Sequence, residues 1–458
     1  MTRTLSCDVA VIGAGTAGIA ARAAAAAEGA RTLLIERGPG GTTCARVGCM
    51  PSKLLIAAAR AAHDARGAGL FGIEAGPVRV DGRAVLRRLR AERDHFVAAV
   101  FESLEEVPEE ERIRGTARFA GPTTLRIDAH TEVAARAVVI ATGSSPSLPP
   151  VLEAVAERVL TTDTLFEIED LPASLAVLGA GPVGLELAQA MARLGVAVTL
   201  LDPAERVAGL RDPAIAACAA DLIGRDVDLR LGCEVAGAEP DGEGVRLRWR
   251  ATAGEETATF ARVLAAAGRP PNLAGLDLAG TGLPLDGHGM PEVDPRSLQC
   301  GDAPIFMAGD ANHLRPVLHE ASRQGGIAGR NAARWPAIAA PERWPALALV
   351  FSDPEIAAIG RPFDAEQDWL IGEASFADQG RARVMGRAAG RARIYAERDG
   401  RLIGAEMIGP DAEHLGRFLT IAVQERWTAR HALDRPFYHP TLVEGLTGAL
   451  DAIARRAG

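Results

Sequence analysis

Lysine is nearly absent from this sequence. Of its 50 basic residues one, Lys53, is a lysine, and the rest are arginine. Coding bias toward arginine accounts for the arginines. It does not account for the one lysine standing four residues after Cys49, since a compact ammonium and a planar guanidinium are not interchangeable in a tight site. Cysteine is scarce as well, with six residues at 7, 44, 49, 218, 233 and 300 in a chain of 458. That excludes a secreted disulfide scaffold and leaves 44 and 49 as one close pair in a chain expected to be cytoplasmic. The basic residues form no block and the net charge is −9, so nucleic acid is not an expected partner. No uninterrupted apolar run reaches the length of a membrane span, so no membrane partner is expected. The first apolar stretch, Cys7 to Ile12, leads straight into a glycine turn, and no cleavable targeting segment is expected before it.

What is present is a pattern that occurs twice. A strand over 7–12, a glycine turn, an Ala-rich helix over 17–28 and a strand over 31–36 form a βαβ opening. Gly13, Gly15 and Gly18 allow close backbone approach to a pyrophosphate at the helix N-terminus, and Glu36 is placed for a ribose hydroxyl pair. At an offset of 166 residues Gly179, Gly181 and Gly184 repeat the glycines and Asp202 repeats Glu36. The repeat is an internal duplication of a nucleotide-binding unit and predicts two bound dinucleotides. An acid at 202 favours the free 2′-hydroxyl of NAD over the 2′-phosphate of NADP. Between and beyond the copies lie helices expected over 51–66 and 83–106, short strands ending in Arg136–Gly143, and an apolar strand Ile305–Ala308 before Gly309-Asp310. The last stretch, from about 336, reads as strands followed by helices, an α+β domain.

Cys44-Ala-Arg-Val-Gly-Cys49 is the chemical centre. Five residues apart in a regular helix is too far for a disulfide, which needs Cα atoms within about 7 Å. Joining the two therefore requires Cys44 in a bent turn before the helix proper, with Gly40, Gly41 and Gly48 supplying the freedom and Pro51 in the first helical turn. A helix N-terminus lowers a thiol pKa, which suits exchange chemistry. The competing readings are a pair of inert buried thiols and a metal site, and nothing nearby completes a Cys₄ or Cys₂His₂ set. Near the other end, Pro440 is expected to start a helix that leaves His439 just outside it. Glu444, one turn in, then reaches back to hold the imidazole, as in a general base with its orienter.

These residues together resemble the class I pyridine nucleotide–disulfide oxidoreductases, and within them the dihydrolipoamide dehydrogenase branch. The resemblance spans nearly the whole chain. It rests on Gly41-Thr-Thr-Cys44-Ala-Arg-Val-Gly-Cys49-Met-Pro-Ser-Lys53, Gly179-Ala-Gly-Pro-Val-Gly-Leu-Glu186, Gly268-Arg-Pro-Pro-Asn272, Ala308-Gly-Asp310 and His439-Pro-Thr-Leu-Val-Glu444. It implies an α/β fold with two Rossmann-like domains, for FAD and NAD, plus a C-terminal α+β dimerisation domain. FAD would take 1–146 and 268–335, NAD 147–267, and the dimer contact 336–458. It further implies a redox-active Cys44–Cys49 disulfide, with Cys49 facing the flavin and Cys44 attacking substrate. Lys53 would pair with Glu186 beside the flavin, Asp310 would bind its ribityl chain, and the helix starting near His319 would point at its pyrimidine. Thr142, Gly143 and Gly268 complete the implied cofactor contacts. His439, from the second subunit of a homodimer, would shuttle the proton, oriented by Glu444.

Thr42, Arg46 and Tyr438 depart from the usual pattern, and Arg46 and Tyr438 are placed to line a substrate channel. The implied reaction is oxidation of a small dithiol, a dihydrolipoyl group free or on a lipoyl-bearing protein domain, with NAD⁺ as acceptor. The alternatives are reduction of another small disulfide, such as glutathione disulfide, and a flavin-binding scaffold without catalysis. A scaffold should have lost the Cys, Lys or His residues, and all are present. No Cys follows Cys300, which weighs against the mercuric and thioredoxin reductases with C-terminal redox tails.

Overall fold

The computed structural model describes residues 3–252 and 254–458. They fall into two compact units. The first comprises the chain up to Pro51, Arg90–Pro146 and Arg269–Arg343, and the second Ser52–Leu89, Ser147–Gly268 and Trp344–Gly458.

The first unit is built on a seven-stranded sheet. Arg112–Arg114, Thr32–Glu36, Arg3–Ile12 and Thr131–Ile140 lie side by side and parallel. Thr124–Ile127 and Ala117–Phe119 extend the sheet antiparallel, and Ile305–Met307 pairs with the end of Thr131–Ile140. The central strands of a parallel sheet are covered on both faces and are apolar, whereas the edge strand Arg112–Arg114 exposes its arginines. Val9 and Val11 pack with Ala17, Ala21, Phe306 and Ala328 on one side. Ala10 and Ile12 pack with Ile35, Val138, Ile140 and Met307 on the other. The alanine run that favours a helix over Thr16–Ala27 also keeps its surface low. Helix Leu318–Arg334 lies against it so closely that a Cβ on Gly325 or Gly329 would stand 2.2 or 2.0 Å from the carbonyl oxygens of Ala17 and Ala21.

The second unit repeats the design. Its parallel sheet runs Asp228–Leu231, Ala197–Asp202, Ser174–Leu178, Arg262–Ala265, Val159–Leu160. The strand, turn and helix expected from Leu175 are Ser174–Leu178 and Pro182–Arg193. A three-stranded antiparallel sheet, Glu234–Asp241, Gly244–Ala251 and Gly254–Phe260, follows. The C-terminal stretch forms a five-stranded antiparallel sheet, Leu347–Val350, Glu355–Gly360, Leu402–Gly409, Arg391–Ala396, Leu370–Ser375, with helices Ala412–Gln424 and Thr447–Arg456 packed on it. The helices expected over 51–66 and 83–106 are Cys49–Gly67 and Gly82–Glu105. Leu55, Ala59, Ala62 and Leu89 of these helices join one apolar core with Leu185, Leu187 and Met191. Among the described residues no helix is long and apolar enough to cross a membrane.

One local expectation fails. Pro440 does not start a helix; the helical turn begins at Val443 and the α-helix proper at Thr447. The reason is competition for hydrogen bonds. The Thr441 hydroxyl donates to the Tyr438 carbonyl, and the Thr441 N–H donates to the Glu444 carboxylate, which keeps residues 440–442 out of helical register.

Candidate active site

The two glycine turns are alike in detail. A Cβ on Gly18 would sit 1.8 Å from the Gly13 carbonyl oxygen, and one on Gly184 1.8 Å from that of Gly179. Gly13 and Gly179 have φ of +105° and +115°, and a Cβ on either would strike the backbone of the neighbouring strand end. These glycines are demanded by the fold. Gly15 and Gly181 are different: a Cβ there meets nothing within 4 Å, yet each caps the N-terminus of its helix. That open cradle at a helix N-terminus with no side-chain cap among the described residues fits a pyrophosphate. The acids match too. Glu36 accepts from Ala14 N and Gly38 N, each at 2.7 Å. Asp202 accepts from Ala180 N at 2.5 Å and Ala204 N at 2.7 Å. Both pairs of donors are related by the same 166-residue offset as the glycines.

Around the first turn, Asn272 ties the strand end Thr142–Gly143. Its side chain donates to Thr142 O at 3.1 Å and its N–H to Gly143 O at 2.9 Å. Ser144 donates to Asp310 at 2.7 Å, and Arg269 donates to Ser144 O at 3.0 Å. Gln324 accepts from Gly309 N at 2.9 Å. Thr142 Oγ1 and Gln324 Nε2 are buried with no partner among the described residues, as polar groups facing a ligand would be. His319 is exposed on the first turn of Leu318–Arg334, and Gly268 takes φ +124° at the edge of the second unit.

The cysteines sit at a break between two helices. Cys44 belongs to the five-residue helix Thr43–Val47 and Cys49 opens helix Cys49–Gly67. Gly48 doubles the chain back between them: a Cβ there would lie 3.0 Å from Thr43 O and 3.2 Å from the Cys44 Cα. The bend the spacing requires is therefore present. Thr42, which departs from the usual pattern, has a local role. Its hydroxyl accepts from Ala45 N at 3.1 Å and caps the short helix. The Arg46 side chain lies along Gly41, whose Cβ would stand 3.3 Å from Arg46 Cδ. Cys44 is half-buried and Cys49 exposed. The remaining thiols are suppressed by burial: Cys7 and Cys300 are pushed up to about 12, and Cys218 and Cys233 are also raised.

In the second unit Lys53 Nζ lies 2.6 Å from Glu186 Oε2 and 4.5 Å above the Phe351 ring centroid. Glu186 Oε1 accepts from Phe351 N at 2.9 Å. Glu186, Gln189 and Arg193 form one buried face of helix Pro182–Arg193, and all three hold the segment 351–353. Phe351, Gln189 and Arg193 were not expected at the site. The signal for Gln189 and Arg193 was the polar spacing i, i+3, i+7 from Glu186 on an otherwise apolar helix, and Phe351 had none. His439 Nδ1 lies 3.0 Å from Glu444 Oε2, and Thr441 N donates to Glu444 Oε1 at 3.1 Å. The imidazole is 81% exposed. Tyr438 beside it is exposed as well.

Residues 7–326 match the pyridine nucleotide-disulphide oxidoreductase family, and residues 347–450 match its dimerisation domain. The chain belongs to this family, as a flavin-dependent oxidoreductase with FAD and a pyridine nucleotide as cofactors and a domain for pairing as a homodimer. It is 31% identical to the dihydrolipoyl dehydrogenase of Haloferax volcanii over 97% of this chain and 95% of that one. It is 33% identical to the mercuric reductase of Shigella flexneri over 96% of this chain and 79% of that one. Among solved structures, LpdA from Mycobacterium tuberculosis superposes with a TM-score of 0.85 at 27% identity, covering 97% of this chain and 99% of that one. RclA from Escherichia coli, a flavoprotein disulfide reductase induced by HOCl, shares the fold, with a TM-score of 0.83 at 23% identity over 97% and 99%. Identity to the dehydrogenase and to the mercuric reductase is similar, 31% and 33%, so identity alone does not choose between their substrates.

Proposed function

We propose that the chain oxidises a small dihydrolipoyl-type dithiol to its disulfide, with Cys44 and Cys49 as the redox pair and NAD⁺ as the electron acceptor. The observation that carries this reading is the bend at Gly48, which turns the backbone of residue 48 onto Cys44 while Cys49 opens the next helix. In the exchange, a substrate thiolate attacks Cys44 Sγ and breaks the Cys44–Cys49 bond, leaving Cys49 as thiolate. The second substrate thiolate then attacks the substrate sulfur of the mixed disulfide and frees Cys44. The substrate leaves oxidised and the cysteine pair is reduced. His439 of the second copy takes the proton that the attacking thiol loses, with Glu444 on Nδ1 directing Nε2 toward it. Bound FAD supplies the two-electron carrier between this dithiol and NAD⁺. The cradles at Gly15 and Gly181 would hold the two pyrophosphates, and Glu36 and Asp202 the riboses, each acid already anchored by two backbone N–H groups. Domain roles follow the same lines, with FAD on 1–146 and 268–335, NAD on 147–267 and the dimer contact on 336–458.

A second reading, reduction of another small disulfide by NADH, is favoured by Arg46 and the exposed Tyr438, which depart from the pattern next to Cys44 and His439. Steady-state assays separate the two: dihydrolipoamide with NAD⁺ and NADP⁺ against lipoamide and glutathione disulfide with NADH and NADPH. The proposal expects the dihydrolipoamide–NAD⁺ pair to give the highest kcat/KM. A preference for NADPH with glutathione disulfide would overturn it. Spectra assign the thiols: Cys44→Ser holoenzyme should keep a long-wavelength thiolate–flavin absorbance band, and Cys49→Ser should lose it.

A further inference from the structure

His439 is so exposed that little besides Glu444 orients its ring. The question is then what orients Glu444, whose carboxylate accepts from Thr441 N in the irregular stretch 439–442 that precedes the turn Val443–Leu446. The anchor lies 62 residues before Thr441. Gln379 is 9% exposed and caps the short helix Gly380–Val384, its Oε1 accepting from Ala382 N at 2.8 Å. Its Nε2 donates to the Thr441 carbonyl at 2.8 Å. Thr441 N donates to Glu444 Oε1, and Glu444 Oε2 meets His439 Nδ1. Gly445 closes the contact, since a Cβ there would stand 2.9 Å from Gln379 Cγ. An amide suits this place because one of its ends must accept and the other must donate, and here each end has one partner of the right kind.

We propose that Gln379 is a positioning residue for the His439–Glu444 pair. It fixes the carbonyl of Thr441, and with it the backbone at that residue, whose N–H on the other side of the same Cα holds the Glu444 carboxylate in the orientation that meets the imidazole. Gln379 touches neither substrate nor cofactor, so it acts only through His439. This rests on the reading of His439 as the residue that handles the substrate proton. The mechanism is one of lost rotational freedom: a carboxylate pinned at one oxygen presents the other along a single direction, and a ring that is otherwise solvated follows it.

The discriminating variant is Gln379→Glu. It keeps an oxygen for Ala382 N, so the helix cap survives, but sets a second oxygen against the Thr441 carbonyl. In holoenzyme oxidising dihydrolipoamide, Gln379→Glu should lower kcat about tenfold, the scale of one charge-assisted hydrogen bond, with KM unchanged. Reduction of the bound flavin by NADH in a stopped-flow instrument should keep its wild-type rate. A double-mutant cycle reads the coupling: in a His439→Ala background, Gln379→Glu should cause no further loss. An equal loss in both backgrounds, or wild-type kcat in Gln379→Glu, overturns the proposal while leaving the reading of His439 intact. A wild-type rate in His439→Ala alone overturns that reading, and the proposal with it.

Discussion

Lys53 Nζ and Glu186 Oε2 lie 2.6 Å apart across 133 residues of chain. The lone lysine of the sequence thus meets a carboxylate that is 6% exposed, on a helix that starts at the second glycine turn. Phe351 completes the contact from both sides, its ring under the ammonium and its N–H on the carboxylate. A compact ammonium can sit over the ring and against the oxygen at once, and a guanidinium plane of larger span cannot satisfy both at these distances.

Lys53→Met should therefore destabilise the protein by about 1–3 kcal/mol, less than a fully buried pair because the ammonium is one-third exposed. Lys53→Arg should restore part of that stability, through the charge on Glu186, without restoring turnover. Urea unfolding midpoints and dihydrolipoamide kinetics on both variants test this. Wild-type turnover in Lys53→Arg would show that the charge alone matters.

The glycine turns separate folding from binding. Gly184→Ala places a methyl on the Gly179 carbonyl and should abolish soluble protein or lower its melting temperature sharply. Gly181→Ala meets open space and should melt as wild type, while weakening NADH binding about tenfold or more as the methyl takes the place of the pyrophosphate. Calorimetry and NADH titration distinguish the two. Unchanged NADH affinity in Gly181→Ala would exclude this turn as the pyrophosphate cradle.

Arg193 and Asp353 link stability to pH. Burial raises the Asp353 carboxyl, and the Arg193 guanidinium at 2.7 Å more than offsets this, so the group is held below its ordinary 3.8. A depressed folded pKa gives stability that is full above the ordinary value and lost as pH falls through the folded one. Arg193→Met should cost about 3–5 kcal/mol near neutrality, as expected for breaking a buried pair. Its deficit in thermal midpoint relative to wild type should shrink below pH 3.8. A deficit that stays constant into acid would mean that Arg193 acts through its packing and not through its carboxylate partners Asp353 and Asp226.

If Cys44 of one copy and His439 of the other form one site, as proposed, subunit mixing has a combinatorial outcome. Cys44→Ser and His439→Ala should each be nearly inactive with dihydrolipoamide. Refolded together, about half of the dimers are mixed, and one of the two sites in each mixed dimer carries no lesion. The mixture should regain about a quarter of wild-type activity. No recovery, with subunit exchange verified by mass spectrometry, would place Cys44 and His439 of one chain in one site.

The local chemistry was legible in residue order because its constraints are local. Glycines at 13, 15 and 18, an acid at 36 and their copies 166 residues later announce two strand–turn–helix units. The fold bears this out down to the hydrogen bonds of Glu36 and Asp202. The Cys44–Cys49 spacing demands a bend, and Gly48 supplies it. Glu444 was visible as the partner of His439, five residues away, although the helix assumed to bring them together starts too late.

What the sequence by itself determined is the kind of chemistry, since that follows from residue types at short spacings and from backbone limits on where only glycine fits. Which side chains hold the reactive groups in place was decided by the tertiary structure. Gln379 lies 62 residues from Thr441, Phe351 lies 165 from Glu186 and Ser144 lies 166 from Asp310. None of the three belongs to a local pattern, because a hydrogen bond needs only the right donor at about 2.9 Å and carries no sequence period. Sheet pairing and core packing bring such donors into reach, and those arise from contacts summed over each unit.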